Sequence, residues 1–240
     1  MAKHDRTSLV GLPSVKCLQG AIDGLITGNL GQVVADGETE IGEIMFLFAC
    51  GKPNAKLLLE IIEDDSSRVI VPDSVQWLPL LRGQSPVRTF TNDTRFAFEL
   101  MQNKNELSSF ELPDGYTWQE LDFEELKVAA LEVNPNLLRP FWSKRAWSKF
   151  GMAFGIKRNG KFVCGASTFA AGKNVVEVEI ATHEDYRRKG LAKFASTLLI
   201  DKCIEGGKAV SWDAANPGSR DLANKLGFKF SHKYDVIKMG

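Results

Sequence analysis

The chain has 240 residues, 44% of them hydrophobic, and its 30 Lys and Arg balance 30 Asp and Glu to a formal net charge of zero. That hydrophobic content at no net charge excludes a disordered chain, and 21 Gly with 9 Pro exclude collagen-like or low-complexity sequence. The longest uninterrupted apolar run is the seven residues 44–50, where a membrane span needs about 20, and residues 1–6 carry charge without an apolar segment, so a soluble, cytoplasmic protein with no membrane partner and no secretory signal is expected.

Taken in chain order, residues 14–26 read as an amphipathic helix with Leu18, Ile22 and Leu25 on one face. Strand-like stretches follow at 32–35 and 41–49, punctuated by Gly28, Gly31 and Gly37. A turn at 51–54 offers Asn54 as the cap of a helix over 55–63. Then come a buried strand at 68–71, a short helix opened by 72–74 and running through Leu81, and a strand over 88–98 with alternating Phe96 and Phe98. None of these carries a catalytic signature. The turn cluster 112–115 marks the expected boundary between an N-terminal α/β domain (1–111) and a second domain (112–240).

Beyond it, the pattern predicts a strand at 116–121 and a helix at 123–133, which 134–136 breaks. A helix at 139–150 and strands at 153–158, 162–170 and 175–182 come next, with Asn159-Gly160 as a hairpin turn. A helix over 189–205 has Leu191, Phe194, Ala195, Leu198, Leu199 and Cys203 at helical spacing and stops at Gly206-Gly207. A strand at 209–212, a helix at 219–226 and one or two closing strands over 228–237 complete the chain. The fold class is α/β with a mixed sheet, and no internal repeat is visible.

The four cysteines, Cys17, Cys50, Cys164 and Cys203, form no CxxC pair and read as buried, reduced thiols. His4, His183 and His232 are scattered without metal-ligand spacing, so no metal is expected. The segment 177–192 carries the chemistry. A strand ending near Thr182 feeds a basic, glycine-containing turn, Arg187-Arg188-Lys189-Gly190, that opens directly into a helix. A helix N-terminus has unpaired N–H groups and partial positive charge, which together bind phosphate. Three basic residues there cost stability unless an anion arrives. Charge along the chain points the same way: residues 1–138 hold 11 basic and 21 acidic side chains, residues 139–240 hold 19 and 9. A basic half invites a nucleic-acid reading, but its aromatics (Phe150, Phe154, Phe162, Phe169) sit in apolar patterns rather than a basic stripe, so no nucleic-acid partner is expected.

Arg187-Arg188-Lys189-Gly190-Leu191-Ala192 resembles the R/Q-x-x-G-x-G/A signature of the GNAT (Gcn5-related) N-acetyltransferase superfamily. Asn216, Ser219, Leu222 and Lys225-Leu226-Gly227-Phe228 resemble that family's Asn-led helix ending in K-L-G-F. The likeness spans about residues 112–240. More narrowly, Ile180-Ala181-Thr182, Gly190-Leu191-Ala192 and the stretch 211–216 resemble the zwittermicin A resistance type of GNAT protein, whose members carry an N-terminal α/β region. The resemblance implies acetyl-CoA as the cofactor and acetyl transfer to an amine acceptor, a small molecule being favoured.

It also implies that the backbone of Arg187, Arg188, Lys189, Gly190, Leu191 and Ala192 holds the pyrophosphate. The strand edge at Ile180 and Thr182 would pair with pantetheine, and Asn216 and Ser219 would contact the cofactor arm. For the general base the choices are Glu179, ranked first for its nearness to the turn, and Glu177, both on one side of a regular strand. The tyrosine that many members place in the Asn-led helix is Ala223 here, so Tyr234 becomes the candidate acid, with Tyr186 behind it and water as the alternative. An inactive acyl-CoA sensor is the alternative function. The N-terminal region is expected either to shape the acceptor cleft or to pair two subunits as a homodimer, and its acidic residues Glu60, Glu63, Asp64 and Asp65 would suit a cationic acceptor.

Overall fold

The computed structural model describes residues 18, 21–22, 32–35, 39–43, 46–61, 68–84, 88–100, 111–139, 144–172 and 174–240. The predicted helix 14–26 therefore lies largely outside the described residues, as do Cys17, the acidic group 63–65 and residues 140–143. Leu18, Ala21 and Ile22 are described, and all three are buried.

The strands are β1 (Gln32–Ala35), β2 (Thr39–Glu43), β3 (Phe46–Gly51), β4 (Arg68–Pro72), β5 (Phe90–Leu100), β6 (Tyr116–Glu120), β7 (Ala153–Arg158), β8 (Lys161–Ala171), β9 (Val175–Thr182), β10 (Ala209–Ala214) and β11 (Phe228–Met239). The helices are α1 (Ala55–Ile61), α2 (Trp77–Gln84), α3 (Phe123–Glu132), α4 (Lys144–Phe150), α5 (Leu191–Glu205) and α6 (Pro217–Lys225). The mixed α/β class expected from the sequence is what the chain adopts. Two expectations change, and the one or two closing strands expected are one. The predicted strand 41–49 is two antiparallel strands, β2 and β3, with Gly42 opposite Phe48. α2 starts at Trp77, because the Asp73 carboxylate binds the Trp77 indole N–H at 3.1 Å and the Gly51 amide at 2.6 Å, which ties the preceding residues into a bend. The closing strand is a single β11 with an irregularity between Phe230 and His232.

All the strands join one sheet in the order β1-β2-β3-β4-β11-β5-β10-β9-β8-β7-β6. The sheet continues across the turn at 112–115. β5 pairs with β10 on one side and with β11 on the other, while β11 reaches β4.

That order contains a repeat the sequence does not display. β1-β2-β3 is an antiparallel meander, α1 crosses to β4 parallel to β3, and α2 leads to β5. β7-β8-β9 is an antiparallel meander, α5 crosses to β10 parallel to β9, and α6 leads to β11. The last strand of each unit lies against the other unit, so β5 and β11 pair with each other and the strand order reads alike from β1 and from β7, with β6 an additional edge strand. Helices cover the faces. Leu191, Ala195, Leu199, Ile200 and Cys203 of α5 pack on Ile156, Val176, Val210 and Trp212. Leu58 of α1 and Trp77 and Leu81 of α2 pack on Leu47 and Ile70.

Candidate active site

The cleft begins where two parallel strands part. β9 and β10 pair only at Val175, Val176 and Glu177 against Ala209, Val210 and Ser211. β9 then continues to Thr182 beside β8, and β10 continues to Ala214 beside β5. Between the diverging ends lies a cavity of about 880 Å³, lined by Val178–Thr182 on one side and by Trp212, Asp213 and the start of α6 on the other. Among the described residues no strand lies beside the β10-facing backbone edge of Val178–Thr182, and such an edge is a template for an extended ligand carrying amides. Ile180 and Thr182 both line this cavity. The Thr182 hydroxyl points back into the sheet and donates to Cys164 Sγ at 3.2 Å, and burial raises that thiol to about 12, so it is inert.

At the far end the chain turns into α5. The sequence put Lys189 inside this helix, but the helix starts at Leu191, with Gly190 as its N-cap at φ +82°. A side chain is disfavoured at that φ, so glycine is needed there. Arg188 also takes a positive φ, +61°, which costs a non-glycine residue on the order of 1 kcal/mol. Arg187 lines the cleft, and its Nε donates to the Thr182 carbonyl at 3.2 Å. Lys189 Nζ folds onto the Asp185 carbonyl at 3.1 Å. Arg188 and Lys189 are exposed outside the cavity lining, and the Leu191 side chain is core. The first N–H groups of α5 receive no side-chain cap. α1, α3 and α6 are each capped, by Asn54, Asp122 and Asn216.

The structure separates the two candidate bases. Both glutamates stay on one side of β9, because the irregularity falls on β8, where Phe169 is the extra residue between Thr168 and Ala170. Glu177 is 3% exposed, and its carboxylate accepts the Ala21 amide at 3.1 Å. Glu179 lines the main cleft and also a second cavity of about 320 Å³ that opens beside it. Burial raises the Glu179 carboxyl to about 7, against a lowering by Arg95 and with a further raising by Asp213.

A family model for GNAT acetyltransferases matches residues 13–237, most of the chain and both units. This chain belongs to the GNAT acetyltransferase family. It is 30% identical over 152 residues to YdfB of Bacillus subtilis (strain 168), described as an uncharacterized N-acetyltransferase. That match takes in 62% of this chain and 58% of the relative. Among solved structures, a GCN5-related N-acetyltransferase-like protein from Streptococcus suis 89/1591 superposes with a TM-score of 0.85 at 23% identity, over 98% of this chain and 96% of the other. A GNAT-family protein from Novosphingobium aromaticivorans gives 0.62 at 19% identity, over 95% and 98%. A tandem GNAT protein from the clavulanic acid biosynthesis pathway gives 0.57 at 11%, over 98% and 92%. At these identities the structures show a shared fold.

Of the residues the GNAT motifs point to, Ile180, Thr182, Arg187, Asn216 and Ser219 line one cleft with Glu179. Asn216 has a local task as well, since its Oδ1 accepts the Ser219 amide at 2.9 Å and caps α6. The Ser219 hydroxyl accepts the Trp212 indole N–H at 3.0 Å. Tyr234 is not brought to the cleft. It is 6% exposed on β11, packed among Phe46, Val71 and Val236, and lines neither cavity. It shares a sheet face with its cross-strand partner Arg95 and is buried there by the side chains packed around it. Tyr186 is held edge-on by Tyr116 and His183 and also stays out of both linings. Ala223 is fully buried.

The sequence reading missed Arg95 and Asp213. They form an ion pair at 2.5 Å, with 13% and 8% side-chain exposure, and line both cavities beside Glu179. The Arg95 guanidinium also sits 5.0 Å over the Phe46 ring. Asp213 lies inside the motif 211–216, so its position carried a signal; Arg95 carried none, because only the pairing of β5 with β10 brings it there.

Acetyl-CoA is the group the family implies, and the chain's own features fit it. The α5 N-terminus lacks a side-chain cap, glycine stands where the backbone must be approached, and the β9 edge is open along the line joining that turn to Glu179.

Proposed function

We propose that this chain is an acetyl-CoA-dependent N-acetyltransferase that moves an acetyl group to the amine of a small acceptor, with Glu179 as the general base. One observation carries the reading: Glu179 stands where the long cleft and the smaller cavity meet, so one carboxylate faces both a cofactor site and an acceptor site. Acetyl-CoA supplies an acyl thioester. The residues of the chain do the rest. The turn 187–192 takes the phosphates, Ile180 and Thr182 offer backbone partners, and Asn216 and Ser219 flank the arm. A base with a pKa near 7 takes a proton from an ammonium group best near neutral pH, where it is half ionised yet still basic. Glu177, engaged with the Ala21 amide, serves to hold residues of the N-terminal unit against β9. No tyrosine lines either cavity, so water protonates the departing thiolate. The zwittermicin A resistance type is the finer placement within the family, on the motifs at 180–182, 190–192 and 211–216.

The test is release of free CoA thiol from acetyl-CoA over a panel of amines, with the same protein carrying Gly190→Asp as control. Thiol release that depends on the amine is expected. The variant should lose acetyl-CoA binding in calorimetry, because a carboxylate replaces the glycine at the phosphate turn. Tight binding without turnover on any amine would instead favour an acyl-CoA sensor.

A further inference from the structure

The smaller cavity has its own chemistry. Its apolar wall comes from Phe46, Val69 and Phe169, with the Phe46 and Phe169 rings 5.9 Å apart. Of its charged residues, Arg95 and Asp213 neutralise one another at 2.5 Å, and Glu177 accepts a backbone N–H. Glu179 stands at the junction with the main cleft. Arg139 also lines the cavity, from the turn that follows Pro135–Leu137, and its side chain is exposed with no carboxylate against it among the described residues. The cavity thus presents the Glu179 carboxyl where it meets the main cleft, the Arg139 guanidinium on its wall, and aromatic and aliphatic surface. At about 320 Å³ it is at the small end of ligand pockets, sized for a metabolite.

We infer that the acceptor is a small amine that also carries a carboxylate and an apolar side chain, an α-amino acid or a close analogue, with its amine toward Glu179 and its carboxylate on Arg139. A planar guanidinium takes a carboxylate in paired hydrogen bonds, and this fixes which end of the acceptor faces the base. The inference rests on the transferase reading for its reaction, but the recognition it describes is a binding property with a test of its own.

The experiment uses the full chain and a panel of neutral L-α-amino acids, each beside its amide and its decarboxylated amine. Thiol release gives kcat/KM, and calorimetry on protein saturated with CoA gives affinity. At least one amino acid should exceed both of its counterparts that lack the carboxylate by about 10–100-fold, the usual weight of a charge-assisted pair. Arg139→Gln should bring that ratio to within about twofold, mainly through KM, and Arg139→Lys should restore part of it. CoA affinity in the same calorimeter certifies that each variant is folded. Equal or better use of the amides and plain amines, or a ratio that Arg139→Gln leaves intact, overturns the inference. If no compound turns over, the transferase reading fails, and the calorimetric preference for or against the carboxylate still decides the acceptor site.

Discussion

Glu179 draws its chemistry from its surroundings. Burial raises its carboxyl to about 7, Arg95 opposes that and Asp213 adds to it; Glu177 and Arg139 are the other charged groups lining the same cavity. Turnover is expected to rise with pH through about 7 as Glu179 ionises, and Glu179→Gln should cut kcat by about 10²–10⁴-fold while leaving acetyl-CoA affinity within a fewfold. A pH–rate profile of both proteins checks this, and unchanged turnover in the variant at every pH would remove Glu179 as the base. The same shift has a stability consequence of fixed sign. A carboxyl whose folded pKa lies above its unfolded value contributes stability that is complete below the unfolded pKa and is lost as pH rises through the folded one. Melting temperatures of Glu179→Gln and the parent should therefore move apart as pH rises from about 4.5 to about 7 and hold that gap above it, the variant gaining roughly 1–3 kcal/mol relative to the parent, a figure that allows for the cleft's partial exposure. Glu179 was legible in the sequence because it lies on the strand that runs into the basic turn. Nearness to that turn ranked it ahead of Glu177; the contact that engages Glu177 left no local mark, because the Ala21 amide is 156 residues away.

Two helix starts show how one architecture makes an open site or a closed one. α5 follows β9 through a turn ending in Gly190, which has no side chain to cap the helix, and β9 parts from β10 after Glu177. α1 follows β3 in the equivalent place, but Asn54 caps it at 3.1 Å, Asp73 takes the Gly51 amide, and β3 stays paired with β4 through Ala49 and Pro72. The first unit therefore keeps the crossover, with β3 and β4 paired where β9 and β10 part. Local signals made both turns readable: glycine with basic residues at one, asparagine ahead of a helical run at the other. The parting of β9 from β10 depends on their neighbours and left no local mark. At α6 the element has two roles to separate, since Asn216 caps the helix and also lines the cleft. Asn216→Ala should cost about 1 kcal/mol of stability and weaken acetyl-CoA binding, whereas Asn216→Ser keeps a capping oxygen and should lower affinity with little change in melting temperature. If Asn216→Ser binds acetyl-CoA like the parent, the residue is a cap alone.

Each of the two repeated units gives its last strand to the other. β5 belongs by sequence to the first unit, yet it lies between β10 and β11 and brings Arg95 to Asp213 beside Glu179. Local patterning shows that β5 is a strand and cannot show its neighbours, because its partners are more than 100 residues away. The repeat was hidden for the same reason: strand order and direction recur while the side chains differ, as the turns at Gly51 and Gly190 illustrate. The exchange has a consequence for folding. A fragment of residues 112–240 loses the strand that pairs Ser211–Ala214 and most of β11, and with it the packing of Phe98, each buried phenylalanine being worth roughly 1.5–3 kcal/mol. It also exposes two long strand edges, which invite aggregation. Such a fragment is therefore expected to lack a cooperative thermal transition, while fragments 1–111 and 112–240 produced together should associate and recover one, along with acetyl-CoA binding. Circular dichroism melts and calorimetry on the single and paired fragments decide the matter. A 112–240 fragment that melts cooperatively and binds acetyl-CoA alone would mean that the second unit folds by itself and that β5 is an accessory to its site.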